Sequence, residues 1–184
     1  MSQKRVPAIF MRGGSSKGVF FHSSDLPEDK NSWDKLFLSV LGSPDPYGRQ
    51  LNGMGGGISS LSKAVVISPP TRLDADVDYT FAQISVKDSV VDYSSNCGNL
   101  SSAVGPFAID TGLVDASGIT KEVRIHNTNS GKLIVSKVPL RDGLTEVVGD
   151  FSFQVFLALA QKFNWISLTP EALALEAYYQ QVTL

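Results

Sequence analysis

Ser94-Ser95-Asn96-Cys97-Gly98-Asn99-Leu100-Ser101-Ser102-Ala103-Val104-Gly105-Pro106-Phe107-Ala108-Ile109 is the stretch on which the fold turns. A polar opening gives way to a run of Ala, Ser and Gly, which predicts a short helix over about 100–109. Small side chains let other backbone come close, so this helix is expected to be surrounded by the rest of the chain. Pro106 is expected to kink it or to lie near its end. Strand-like runs stand on both sides of it. Many strands around one short, small-residue helix predict a strongly curved, mixed sheet wrapped on that helix, in an α/β (α+β) fold.

Working outward, strands are predicted over 6–11 and 18–22, paired as a hairpin around Arg12-Gly13-Gly14-Ser15-Ser16-Lys17. Trp33, Leu36, Phe37, Val40 and Leu41 recur at helical spacing, with Asn31 or Ser32 as the cap and Gly42 then Pro44 as the stop. A polar, glycine-rich loop over 43–62 follows, of a length that usually signals function or disorder. Further strands are predicted over 63–67, 77–86, 89–93, 122–126 and 133–138, the last two joined through Asn127-Thr128-Asn129-Ser130-Gly131. From Phe151 the pattern changes. Phe153, Phe156, Leu157, Ala160, Phe163 and Trp165 fall at helical spacing, and Thr169-Pro170 reads as the start of another helix. The expected organisation is a first domain over 1–150 and a helical tail over 151–184 that begins a second domain.

Composition narrows the function. With 42% hydrophobic and 18% charged residues, the chain can form an ordinary globular core. A formal charge of −2 and the lack of a basic stripe argue against a nucleic-acid partner. The single cysteine allows no intrachain disulfide and no Cys/His metal site, so no metal is expected. Apolar runs fall well short of the roughly 20 residues that span a bilayer, and the first residues lack a signal-peptide core. A cytoplasmic protein without a membrane partner is expected.

Three polar segments could carry chemistry. The glycines of Arg12-Gly13-Gly14-Ser15-Ser16-Lys17-Gly18 let the backbone turn and expose its N–H groups beside hydroxyls that can hold an anionic oxygen; a plain hairpin turn is the alternative. The order of residues is not that of a Walker A loop. Gly53-Met54-Gly55-Gly56-Gly57-Ile58-Ser59-Ser60-Leu61-Ser62-Lys63 ends in a lysine at the mouth of an apolar strand. Burial would lower the pKa of that amine toward acid/base use, unless Lys63 is simply a solvated strand end. Cys97 precedes a helix whose N-terminal amides would stabilise a thiolate or bind a carboxylate; the alternative is a buried small hydrophobe. Asn127, Thr128 and Asn129 could donate to a carboxylate or merely build a hairpin loop. His22 and His126 read as structural, and no Gly-x-Ser-x-Gly hydrolase elbow is seen.

Together these segments are more specific than any one of them. Phe10-Met11-Arg12-Gly13-Gly14-Ser15-Ser16-Lys17-Gly18-Val19-Phe20-Phe21 closely resembles the opening of the PrpF family. Gly42-Ser43-Pro44-Asp45-Pro46-Tyr47-Gly48-Arg49-Gln50, running into Met54-Gly55-Gly56-Gly57 and Ser59-Ser60-Leu61-Ser62-Lys63, is similar to its next motif. Ser95-Asn96-Cys97-Gly98-Asn99-Leu100 resembles its third. The match runs in order over 6–150.

The resemblance implies a fold like that of diaminopimelate epimerase, with two related domains, each a curved sheet around a central helix, and the active site between them. It implies cofactor-independent isomerisation of a small unsaturated di- or tricarboxylate such as 2-methylaconitate, by a cis-trans or allylic shift. Lys63 and Cys97 match the acid/base positions. Ser15, Ser16, Ser60, Asn96, Gly98, Asn99, Asn127 and Thr128 would hold substrate. The expected partners are that small acid and further copies of the chain. Two rivals stand beside this reading: a carboxylate-binding or assembly fragment without catalysis, and a thiol-dependent racemase or epimerase, which would need a second cysteine.

Overall fold

Alternation of side chains along the central strands sorts the apolar residues into two cores, one on each face of a single mixed sheet. The computed structural model describes residues 4–148, and the backbone alone of 151–152, 159–167 and 175–181. In chain order the elements are β1 (Ile9–Gly13), β2 (Ser16–His22), α1 (Asn31–Leu41), β3 (Lys63–Ser68), β4 (Val77–Ile84) and β5 (Val91–Asp92). There follow α2 (Gly98–Asp110), β6 (Thr120–Asn127), β7 (Lys132–Arg141), β8 (Leu144–Thr145), β9 (Phe151–Ser152), β10 (Leu159–Ser167) and β11 (Leu175–Gln181). Neighbours in the sheet run β8-β7-β6-β4-β3-β2-β1-β11-β10-β9, and a further β7–β10 pairing makes the sheet curl round on itself.

Two pairings are parallel, β2 with β3 and β4 with β6, and each needs a crossover. The first crossover carries α1 over the outer face. The second carries α2 into the hollow of the sheet. Phe20, Val65, Ile67, Tyr79 and Phe81 point inward against Leu100, Val104 and Phe107 of α2. Their neighbours Val19, Phe21, Ala64, Val66, Ala82 and Ile84 point outward against Trp33, Phe37 and Leu41 of α1.

Local propensity alone would not hold α2. Gly105 costs about 1 kcal/mol and Pro106 about 3 kcal/mol relative to alanine in a helix interior. Burial of Leu100, Val104, Phe107 and Ile109, at about 1.5–3 kcal/mol each, outweighs both. Gly105 is required by space, since a Cβ there would lie 2.8 Å from Val138 Cγ2 and 3.0 Å from Ser136 Oγ. The surrounded, small-residue helix expected from the sequence is therefore present, with Pro106 inside it.

At α1, Asp29 does the capping, accepting from Asn31 N–H at 3.1 Å and Ser32 Oγ at 3.1 Å, and Gly42 closes the helix at φ 75°. Among the described residues, no helix is long and apolar enough to cross a membrane.

The tail corrects one expectation. Where helical spacing was read across 151–184, the described backbone of β10 and β11 is strand, hydrogen-bonded into the same sheet through β7 and β1. Phe163-Asn164-Trp165-Ile166 is aromatic and β-branched, a composition that favours extended backbone wherever a sheet edge can pair with it. The helix expected from Thr169-Pro170 begins outside the described residues, and so does the segment 153–158.

Candidate active site

Parity along the strands decides which polar residues meet. Lys63 opens β3 on the same inward face as Val65 and Ile67, and it pairs across to Gln83 at the end of β4. Its side chain therefore turns toward α2 and is only 7% exposed. Nζ donates to Gln83 Oε1 at 2.5 Å and sits 4.9 Å from the centre of the Phe81 ring. Burial holds the Lys63 amine below its ordinary pKa, while nearby Cys97 acts weakly in the opposite sense. A lysine in such a setting loses its proton more readily than one in water.

Cys97 is the N-cap residue of α2 and is 8% exposed. Its carbonyl accepts from Ser101 N–H and Ser101 Oγ, both at 3.0 Å, and from the buried Tyr79 hydroxyl at 3.3 Å. The thiol reaches Ser16 Oγ at 3.9 Å, a weak sulfur contact. Asn99 Nδ2 donates to Ser15 Oγ at 3.0 Å and to Ser16 Oγ at 3.4 Å. A hydroxyl that accepts in this way keeps its own proton to donate. Ser15, Ser16, Cys97, Gly98 and Asn99 thus gather at the N-terminal end of α2, where the first-turn amides lie and negative charge is favoured.

The β1–β2 turn can sit there only because it lacks side chains. Gly14 adopts φ 52°, and a Cβ on Gly13 would lie 2.3 Å from the Asn99 carbonyl oxygen. Gly18 plays the same part beside Lys63, where a Cβ would meet Leu100 Cδ1 at 2.9 Å and the Lys63 carbonyl at 3.1 Å.

The loop over 43–62 is built around two residues. Asp45 accepts from the N–H groups of Tyr47 and Arg49 at 2.9 Å and of Gln50 at 2.6 Å, and these bonds keep its carboxyl below the usual range. Gln50, 1% exposed and at φ 52°, accepts from Gly57 N–H at 2.9 Å and Ser62 Oγ at 2.6 Å, and donates to Ser43 Oγ at 2.8 Å. Left-handed backbone is unfavourable for a residue with a Cβ, and these three bonds offset it. Replacement of Gln50 by alanine is expected to destabilise the chain by about 2–3 kcal/mol, since buried partners lose their bonds. Urea denaturation measures this; a change under about 0.5 kcal/mol would show that the loop holds its shape without the amide.

The remaining candidates separate. Ser60 is half-buried in the short 3-10 turn Ser59–Leu61 that leads to Lys63. Asn127 is fully buried, donating to Asn96 Oδ1 at 3.0 Å and accepting from Ser130 N–H at 2.8 Å and Ser130 Oγ at 2.7 Å. Thr128 lies toward the outer face, against Thr80 Oγ1 at 2.7 Å, in a hollow shared with Trp33 and Tyr93. Asn129 bonds the Phe81 N–H and C=O, each at 2.8 Å, as a neighbouring strand would. His126 pairs with buried Asp78 at 2.9 Å, and His22 lies 4.9 Å from the Phe107 ring. The geometry thus brings together Lys63, Cys97, Ser15, Ser16, Gly98 and Asn99, and leaves Thr128 apart. Among the described residues there is no group of three or more His, Cys, Asp or Glu that could hold a metal ion.

A family model described as PrpF protein matches residues 3–162. The chain belongs to the PrpF family. It is 52% identical over 157 residues to a 2-methyl-aconitate isomerase of Cupriavidus necator, covering 81% of this chain and 40% of the relative. It is 51% identical over 148 residues to a 3-methylitaconate isomerase of Eubacterium barkeri, covering 80% of this chain and 38% of that one. A 4-oxalomesaconate tautomerase of Pseudomonas putida is 49% identical over 150 residues, with 82% of this chain and 41% of the relative covered.

Among solved structures, a methylitaconate-delta-isomerase superposes with a TM-score of 0.86 at 45% identity, over 90% of this chain and 42% of that one. A probable proline racemase from Agrobacterium radiobacter K84 aligns with a TM-score of 0.53 at 14% identity, over 88% of this chain and 41% of that chain, which shows the shared racemase- and epimerase-like α/β fold. This PrpF chain therefore spans about 40% of the length of the curated relatives that it matches. Gln83 and Gln50 of the PrpF chain also hold the candidate site together, and neither is singled out by its local sequence. The inward parity of Tyr79 and Phe81 is the sequence signal for Gln83, and the signal for Gln50 is its place at the end of the motif that runs from Gly42.

Proposed function

We propose that this chain carries the proton-transfer side of a cofactor-independent isomerase acting on a small unsaturated di- or tricarboxylate of the 2-methylaconitate or 3-methylitaconate kind. The observation that carries the reading is the buried amine of Lys63, tied to Gln83 within the influence of Cys97 at the start of α2. The names of relatives about half identical to the chain support the substrate class.

In this mechanism the neutral Lys63 amine takes a proton from a carbon beside the alkene, so that a C–H bond breaks and an N–H bond forms. The electron pair left behind spreads through the alkene into a carboxylate. Ser15, Ser16, Asn99 and the first-turn amides of α2 hold that growing negative charge, which is where fixed donors lower a barrier most. The ammonium then returns its proton at the other end of the allylic system, or at the same carbon after rotation. The first route moves the double bond and the second changes its geometry. Cys97, at the start of α2, can give its thiol proton to the carbanion in place of the ammonium, becoming a thiolate beside the first-turn amides. A cytoplasmic setting and a self-associating protein go with this reading.

Deuterium uptake from D2O into 2-methylaconitate, 3-methylitaconate and trans-aconitate, followed by NMR, tests it. Protein-dependent exchange is expected. Tight binding of these acids without exchange would replace the proposal with a carboxylate-binding role. A two-thiol racemase mechanism would need a second sulfur, and Cys97 is the one cysteine of these 184 residues.

A further inference from the structure

We infer that Gln83 is the positioning residue for the Lys63 amine, a neutral acceptor that fixes where the proton is taken up without fixing the charge of the amine. The amide of Gln83 can sit only one way round. Its Nε2 donates to the carbonyls of Ser62 at 2.9 Å and Ser59 at 3.1 Å. Turned over, it would set oxygen against those two carbonyl oxygens and N–H against the lysine N–H groups. The three-way tie therefore presents Oε1 to Lys63 Nζ and at the same time staples the turn Ser59–Leu61 to the end of β4.

The neighbours of Nζ make the choice of glutamine meaningful. From β4 it faces the Phe81 ring and Gln83, and the Cys97 thiol at the start of α2 is near enough to act on its charge. The titratable group among these is Cys97. A carboxylate in place of the amide would hold the lysine as an ammonium, with no lone pair to accept a proton. An apolar side chain would let the amine swing away from the N-terminal end of α2. The amide does neither, and one N–H of a neutral amine bound to Oε1 leaves the nitrogen lone pair to be aimed at a substrate carbon. This inference rests on the isomerase reading for its purpose, though not for its test.

The test is the titration of Lys63 in Gln83→Glu and Gln83→Met, read from the ¹³Cε resonance in lysine-labelled full chain and assigned by its loss in Lys63→Met. Gln83→Glu is expected to raise the Lys63 midpoint by about one pH unit or more, as an opposite charge in contact does. Gln83→Met is expected to lower it, because the ammonium loses an acceptor. Midpoints equal to that of the parent in the folded variants would overturn the inference. If Gln83→Met does not fold, Gln83→Glu decides alone. Deuterium exchange in the same samples separates the two claims. Shifted midpoints without exchange in the parent protein uphold the positioning of the amine and sink the isomerase reading, and unshifted midpoints with exchange do the reverse. With both upheld, the exchange rate of Gln83→Glu moves to higher pH with little change in KM, which loss of a merely structural bond would not produce.

Discussion

Lys63→Met is expected to lower the rate of substrate proton exchange by about 10²- to 10⁴-fold, the usual contribution of a positioned base, while the chain stays folded. Methionine has nearly the length and volume of the lysine stem, so the space beside Phe81 and Gly18 remains filled. What disappears is the nitrogen. The parent should show exchange that rises with pH as the amine gives up its proton, with a midpoint below that of a free lysine because burial disfavours the ammonium. The variant should show no such rise.

Stability changes in the same direction. An amine held below its ordinary pKa binds fewer protons in the fold than in the unfolded chain at any pH between the two values. Stability of the parent therefore increases with pH across that window, and below it the fold bears the full cost of the buried charge. Methionine removes that cost together with the bond to Gln83, so the variant's stability should lack the parent's rise with pH across that window. Unchanged exchange in a folded Lys63→Met protein would remove Lys63 from the chemistry.

Gly13→Val is expected to do the greatest damage of any single substitution in the hairpin. A Cβ there would stand 2.3 Å from the Asn99 carbonyl oxygen, 2.9 Å from Leu100 Cα and 3.0 Å from Asn99 C. Each of these is backbone, so no rotamer change relieves the overlap. The helix cannot retreat either, because every residue from Leu100 to Ile109 is buried. Overpacking usually costs about 1–3 kcal/mol, and a clash against an enclosed helix should exceed that. Separation of the turn from α2 would also break the Asn99 contacts with Ser15 and Ser16 and draw Cys97 from Ser16. Loss of stability should therefore come with loss of carboxylate binding. Gly131→Asn is the control, since Gly131 has φ 69° and nothing within 4 Å of its Cβ position. It should cost no more than about 1 kcal/mol. Chemical denaturation of both variants measures the contrast, and a Gly13→Val chain as stable as the parent would refute the tight approach.

Much of this could be read from local sequence because local physics decides it. The hairpin follows from Gly13-Gly14, the end of α1 from Gly42, and the enclosed helix from its small residues. The gathering of Ser15, Ser16, Lys63, Cys97 and Asn99 came from motif resemblance rather than from periodicity. What stayed hidden depends on register between distant strands. Gln83 lies opposite Lys63 only because β3 and β4 pair with one offset; a shift of one residue would have turned it outward. Thr128 looked like a neighbour of Asn127 in function, but successive residues leaving a strand take opposite faces, and it joined Thr80 outside. The strands at 159–167 and 175–181 have the apolar spacing of a helix, and their pairing partners are far away in sequence. Asn129 could not be placed from its loop composition, because its amide serves as a surrogate strand for Phe81.

The Gln50 tie has a consequence for how an anion would arrive. The loop that leads to Lys63 is already cross-linked from Ser43 to Ser62 through one buried amide. A segment ordered in advance has little conformational entropy left to lose on association. Capture should then proceed in a single kinetic phase, with a rate constant that tracks ligand concentration and shows no saturating closure step. The heat capacity change should be that of the small surface the acid covers, and no larger.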